Sequence, residues 1–243
     1  RSKKIKKSFF IILVVLIVLS GGSAIYLGNY YHSVDVEKYM NGSSEVSVEK
    51  FDKGWFFDGA GEEKALIFYP GAKVATEAYA PLMYQLAESG IDCFLVDMPF
   101  HMAFFGMNRA EEIMQEYNYE AWYLGGHSLG GAMAANFAAD YVEDHTDGIR
   151  GLLLLAAYPT KDLSTSDMSV VTVYGSEDGV LNMDKIVAGR ELMPQDYKEV
   201  CIEGGNHAQF GSYGTQKGDG TAAIPAEEQW ARTVEVFVGD ESE

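Results

Sequence analysis

Apolar and polar positions fall into blocks along this chain, and the period changes from block to block. Ala65–Tyr69 is an unbroken apolar run, as a strand covered on both faces requires, and it stops at the turn Pro70-Gly71-Ala72-Lys73. Thr76–Ser89 then sets Ala78, Tyr79, Leu82, Met83, Leu86 and Ala87 at helical spacing, with Gly90 as its stop signal. A strand at Ile91–Val96 leads into the apolar loop Asp97–Phe105, a helix at Met107–Tyr117, a strand at Ala121–Leu124 and a glycine-rich turn. Beyond the turn the pattern predicts a helix at Ala132–Glu143, strands at Leu152–Ala157 and Val170–Tyr174, and a helix at Met183–Leu192. A strand at Glu199–Ile202 and a last helix at Pro225–Val238 complete it. Such alternation predicts an α/β domain with a mostly parallel, twisted sheet and helices on both faces. Upstream, Val46–Phe51 and Trp55–Phe57 read as strands, the second followed by a hairpin turn at Asp58-Gly59-Ala60-Gly61. About a dozen residues, Tyr158–Ser169, separate the strand ending at Ala157 from the next, which leaves no room for a large lid domain.

The N-terminus breaks this pattern. Arg1, Lys3, Lys4, Lys6 and Lys7 precede an uncharged stretch from Ser8 to Tyr31 that is strongly apolar from Phe9 to Leu19. Phe9–Gly28 has the roughly 20 residues that a bilayer-spanning helix needs, and Tyr26, Tyr30 and Tyr31 sit where an interfacial aromatic belt belongs. The basic stub predicts that the lysines stay in the cytoplasm and that the rest of the chain lies outside it. Residues 1–31 therefore read as a basic stub and transmembrane anchor, 32–45 as a polar stalk, and 46–243 as the α/β domain. A cleavable signal peptide with Ser20-Gly-Gly-Ser-Ala24 near its cleavage site, and so a secreted product, is the alternative. No cysteine stands at the end of the apolar run, so a lipoprotein is excluded. The chain starts at arginine, and one or more residues are expected before it in the natural protein.

Composition narrows the partners. From Ser8 onward the chain carries 13 basic against 36 acidic residues, which argues against nucleic acid or an anionic lipid surface as partner of the globular part. Cys93 and Cys201 each fall in a predicted buried strand and read as small core residues. Zinc-ligand spacing, H-E-x-x-H, a phosphate loop and G-x-G-x-x-G are all missing, so neither a metal nor a cofactor is expected.

The glycine-rich turn carries the chemistry. Trp122-Tyr-Leu-Gly-Gly-His-Ser128-Leu-Gly-Gly-Ala-Met133 matches G-x-S-x-G, with Gly126 and Gly130 two residues either side of Ser128. A sharp strand-to-helix turn needs neighbours without side chains, exposes the serine hydroxyl, and leaves the Leu129 amide free to donate to an oxyanion. A serine needs a base and an orienting acid. These are expected at the C-terminal ends of later strands, where the loops of an open α/β sheet converge. Tyr174-Gly-Ser-Glu-Asp178 and Glu203-Gly-Gly-Asn-His207 occupy two such ends, giving the chain order Ser128, Asp178, His207. Glu177 is the fallback acid and Asp184 a weaker one. The second oxyanion donor is expected in the turn after Ala65–Tyr69, at the Ala72 amide, with Gly71 and Lys73 as one-residue alternatives. His127 reads as a packing residue. His101, Phe100 and Phe104, in the apolar loop, are candidate substrate contacts, and Lys73 a candidate for an anionic substrate group.

On these residues the chain resembles the α/β-hydrolase superfamily. Within it, the chain is similar to the compact bacterial group labelled alpha/beta hydrolase family 5, related to dienelactone hydrolases and carboxylesterases. The stretches that carry the resemblance are Phe68–Gly71, Asp97–Phe100, Gly126–Gly130, Tyr174–Asp178 and Gly204–Gly214 with Gln216, Gly218 and Asp219. It spans about Lys64 to Trp230. It implies an α/β-hydrolase fold, a serine triad and a small-molecule ester as substrate. Dienelactone hydrolases carry a cysteine nucleophile where this chain has Ser128, so the resemblance does not extend to their substrate. An amidase, thioesterase or acyltransferase acting on envelope acyl groups, or a binding module that keeps the fold without catalysis, are the competing readings. Oligomeric state has no signature in the sequence.

Overall fold

The computed structural model describes residues 28–145 and 148–240. The chain divides into two units, Arg1–Tyr30 and Tyr31–Glu243, and the fold is that of the second. The expected anchor, residues 9–28, lies outside the described residues except for Gly28. Among the described residues no helix is long and apolar enough to cross a membrane.

In chain order the strands are β1 (Ser47–Phe51), β2 (Gly54–Asp58), β3 (Lys64–Tyr69), β4 (Asp92–Val96), β5 (Ala121–His127), β6 (Ile149–Leu155), β7 (Ser169–Gly175) and β8 (Tyr197–Ile202). The helices are α1 (Glu37–Met40), α2 (Ala80–Glu88), α3 (Arg109–Glu116), α4 (Leu129–Asp144), α5 (Met183–Gly189) and α6 (Ala226–Asp240). One sheet runs in the order β1-β2-β4-β3-β5-β6-β7-β8. Pairings from β4 across to β8 are parallel, while β1–β2 and β2–β4 are antiparallel. This is the predicted mostly parallel sheet of the α/β-hydrolase fold. The stretch between β6 and β7 forms no helix or strand of its own.

Successive side chains of a strand point to opposite faces, so an all-apolar strand feeds two cores at once. In β3, Leu66 and Phe68 join Leu82, Leu86 and Phe237 of α2 and α6 on one face. Ala65, Ile67 and Tyr69 join Ala134 and Ala138 of α4 on the other. The sheet's middle is thereby dry on both sides, and its C-terminal edge is where polar loops can gather.

Three expectations need correction. The residues after β2 are not a hairpin turn: the hairpin is the tight connection Asp52-Lys53 between β1 and β2, and β2 pairs next with β4 rather than β3. The long return through β3 and α2 allows that crossing, which local turn chemistry cannot reveal. Cys93 is buried, but Cys201 is exposed, because β8 is an edge strand with one side uncovered. Residues 32–45 are not a free stalk. Tyr31 bridges to Val74 in parallel. The Val34 amide donates to the Ser212 carbonyl at 2.8 Å, and Val36 and Tyr39 are buried in the core that holds α2 and α6.

Candidate active site

A sharp backbone turn lies where β5 hands over to α4. Ser128 has φ 53° and ψ −121°, a left-handed conformation that costs a residue with a side chain about 1–3 kcal/mol. Its neighbours make the turn possible. A Cβ on Gly126 would sit 2.5 Å from the Gly130 carbonyl carbon, and one on Gly130 would sit 2.1 Å from the Tyr69 carbonyl oxygen. Neither position tolerates a side chain, so the spacing around Ser128 is dictated by close backbone approach. The Ser128 amide donates to the Leu155 carbonyl at 2.8 Å, which pins the turn to β6. Ser128 is half-exposed, and its hydroxyl makes no hydrogen bond among the described residues.

The loops after β7 and β8 bring a carboxylate and an imidazole together. His207 Nδ1 lies 2.8 Å from Asp178 Oδ2, with both side chains almost wholly buried. The Val180 and Leu181 amides each donate to Asp178 Oδ1 at 2.8 Å, so the carboxylate is held on both oxygens. A carboxylate accepts, so the proton of neutral His207 sits on Nδ1 and the lone pair on Nε2. Glu177 is exposed and takes the Ser176 hydroxyl, and Asp184 lies exposed in the first turn of α5; neither pairs with His207.

Ser128 and His207 line one cleft of about 270 Å³ with Leu129, Ala132, Ala157, Tyr158, Val180 and Leu181. Its walls are mostly apolar and carry no cationic side chain. The candidate contacts His101, Phe100, Phe104 and Lys73 are not among its lining residues. The phenylalanines stand instead on the surface, Phe100 58% and Phe104 47% exposed, each in ring contact with Phe105. The wall residues Tyr158, Val180 and Leu181 escaped the sequence reading because they belong to irregular loops with no period to mark them.

The turn after β3 discriminates between its amides. Gly71 donates to the Tyr79 hydroxyl at 3.0 Å, and Lys73 to the His101 carbonyl at 2.8 Å. Ala72, between them, has no partner among the described residues, and neither does Leu129 at the start of α4. First-turn amides of a helix lack intrahelical acceptors and point toward anions.

His127, read as a packing residue, is part of a polar chain beneath this turn. Its Nδ1 lies 2.7 Å from the Tyr79 hydroxyl, and its ring centroid 4.4 Å from that of His207. Burial, with a smaller contribution from His207, holds His127 well below the ordinary histidine range, so it stays neutral. Burial likewise pushes the Tyr79 hydroxyl up, so it remains a donor and acceptor rather than an anion. Among the described residues no group of three His, Cys, Asp or Glu side chains is placed to hold a metal ion.

No curated protein sequence matches the chain. Solved structures share its fold at low identity. Carboxyl esterase 2 of the fungus Tuber melanosporum superposes with TM-score 0.60 at 12% identity, covering 86% of this chain and 89% of that one. An esterase of Pyrobaculum calidifontis gives 0.60 at 15%, covering 85% and 88%. The monoacylglycerol lipase of Paleococcus ferrophilus gives 0.57 at 14%, covering 81% and 99%. The family model described as alpha/beta hydrolase family matches residues 65–231, from β3 through the serine turn and both polar loops into α6, and the chain belongs to that family.

Proposed function

We propose that this chain is a serine hydrolase that cleaves a small carboxylic ester through an acyl-enzyme. His207 Nε2 takes the Ser128 proton as Oγ bonds to the ester carbonyl carbon. The oxyanion that forms accepts from the Leu129 and Ala72 amides. The His207 imidazolium, steadied by Asp178, then gives its proton to the departing alkoxide. Water repeats the sequence, losing a proton to His207, which returns it to Ser128 Oγ as the bond from Oγ to the acyl carbon breaks and the acid leaves. The observation that carries the reading is the 2.8 Å Asp178–His207 pair, whose imidazole lines the same cleft as Ser128. The esterase and lipase names of the fold's solved relatives favour an ester over other acyl groups. A cleft of about 270 Å³ lies just below the range of about 300–1,000 Å³ for small-molecule sites, which favours a short, uncharged acyl group. The basic stub and apolar segment of residues 1–28 support a single-pass anchor with this domain outside the cytoplasm.

The test is labelling with a fluorophosphonate probe alongside turnover of p-nitrophenyl acetate and butyrate. Modification at Ser128, lost in His207→Ala, is expected, with a fall of at least ~10³-fold in turnover for Ser128→Ala. Turnover unchanged in Ser128→Ala would sink the assignment.

A further inference from the structure

We infer that Asp219 is the positioning residue that sets the Asp178–His207 pair, a role resting on the hydrolase reading above. No periodicity or turn signal assigns it a partner, and it touches neither the Ser128 side chain nor the cleft. Its carboxylate accepts four backbone amides. Oδ1 takes Gly179 at 3.1 Å, His207 at 3.2 Å and Gly220 at 2.8 Å, and Oδ2 takes Ala208 at 2.8 Å. Gly179 directly follows Asp178, so one half-buried side chain bonds the residue after the acid and the base itself.

The backbone confirms how tightly these loops are joined. A Cβ on Gly179 would lie 2.6 Å from the Gly218 carbonyl oxygen, and one on Gly220 would lie 1.9 Å from that of Glu177. The acid's loop and the Asp219 loop are thus in backbone contact on both sides of the carboxylate. Asp178 ties its own turn from inside, through Val180 and Leu181; Asp219 ties the same turn from outside and fastens it to the base. A carboxylate is the side chain suited to this place, because four converging N–H groups need an acceptor with several lone pairs and no proton.

Removing it frees the two loops to move apart while both side chains of the pair remain. Turnover then falls without loss of substrate binding, since a misplacement near 1 Å can cost about 10²-fold.

The experiment uses the full chain with Asp219→Asn and Asp219→Ala, active sites being titrated with the fluorophosphonate probe. Asparagine keeps the Oδ1 acceptor and loses the Ala208 bond, so a graded series is expected: kcat per titrated site down about threefold in Asn and at least about thirtyfold in Ala, with KM within about twofold. A role in folding alone would lower the titrated fraction and leave kcat per site unchanged. The second readout needs no turnover: the downfield Nδ1–H proton of His207 in NMR, identified by its loss in His207→Gln, is expected to broaden or vanish in Asp219→Ala. Wild-type kcat per site together with an intact Nδ1–H signal, in whichever Asp219 variant folds, overturns the inference. Inactivity that persists unchanged from wild type to Ser128→Ala, with the NMR signal still lost in Asp219→Ala, would instead fault the hydrolase reading and leave the positioning role standing.

Discussion

At the scale of single residues, Ser128 holds a conformation its own chemistry disfavours. Positive φ with ψ −121° suits glycine, so the turn stores strain in return for an exposed hydroxyl. Ser128→Gly is therefore expected to be more stable than Ser128→Ala by about 1 kcal/mol, or about 2–4 °C in Tm for a domain of this size, while neither variant turns over ester. Matched thermal melts check this, and an alanine variant at least as stable as the glycine variant would show that the turn is unstrained. This residue was legible in the sequence because its cause is local: Gly126 and Gly130 are needed by atoms within a few positions of them or in the adjoining β3. His207 and Asp178 were legible for a related reason, since each follows a short apolar strand directly. The resemblance marks Asp219, but its bonding role was not legible, because its partners Gly179 and His207 lie 40 and 12 residues away and are backbone amides that any sequence would supply.

At the scale of elements, helix α6 works as a clamp on the loop that carries His207. Gln229, fully buried, accepts the Asn206 amide at 3.0 Å through Oε1 and donates to the Asn206 carbonyl at 2.8 Å through Nε2. One side chain thus satisfies both backbone groups of the residue before the candidate base, where no strand or helix ladder could. Gln229→Ala strands a buried donor and a buried acceptor, each costing about 1–3 kcal/mol. Chemical denaturation is expected to show a loss of about 2–6 kcal/mol on that basis. An alanine variant as stable as wild type would mean the Asn206 groups find water instead. The helix itself was visible from its apolar spacing, but its polar contact was not. Periodicity reports which face is buried and says nothing of a polar group buried on it. The same limit hid the order of the strands. Apolar runs marked β2, β3 and β4 individually, yet the insertion of β4 between β2 and β3 depends on a return through α2 that leaves no trace in any one strand. Cys201 was misread because a strand at a sheet edge has the same composition as one inside it.

At the scale of the folded domain, residues 31–46 belong with the parts they precede by more than 150 positions. Val36, Tyr39 and Val46 are buried, and Tyr39 meets Trp230 of α6 edge to face at 6.0 Å. Burying a side chain of this kind contributes about 1.5–3 kcal/mol against a total stability of about 5–15 kcal/mol, so the three together are a large share even after allowing for a compact unfolded chain. The segment also reaches the end of the sheet that carries the candidate site. The Val34 carbonyl takes the Ser212 hydroxyl at 2.6 Å, and the Tyr31 hydroxyl takes the Lys217 amide at 3.2 Å. Ser212 and Lys217 flank the stretch that leads into Asp219, so the segment holds down the loop that in turn holds His207. A variant starting at residue 47 is therefore expected to lose about 10 °C or more in Tm relative to one starting at residue 29, or to fail to fold. Between these extremes, Tyr31→Phe removes one hydroxyl from an otherwise intact domain. It is expected to leave Tm within about 2 °C, the usual scale of a partly exposed hydrogen bond. If instead the variant starting at residue 47 melts like the one starting at residue 29, the buried contacts of Val36 and Tyr39 contribute no net stability, and the polar segment is a tether after all.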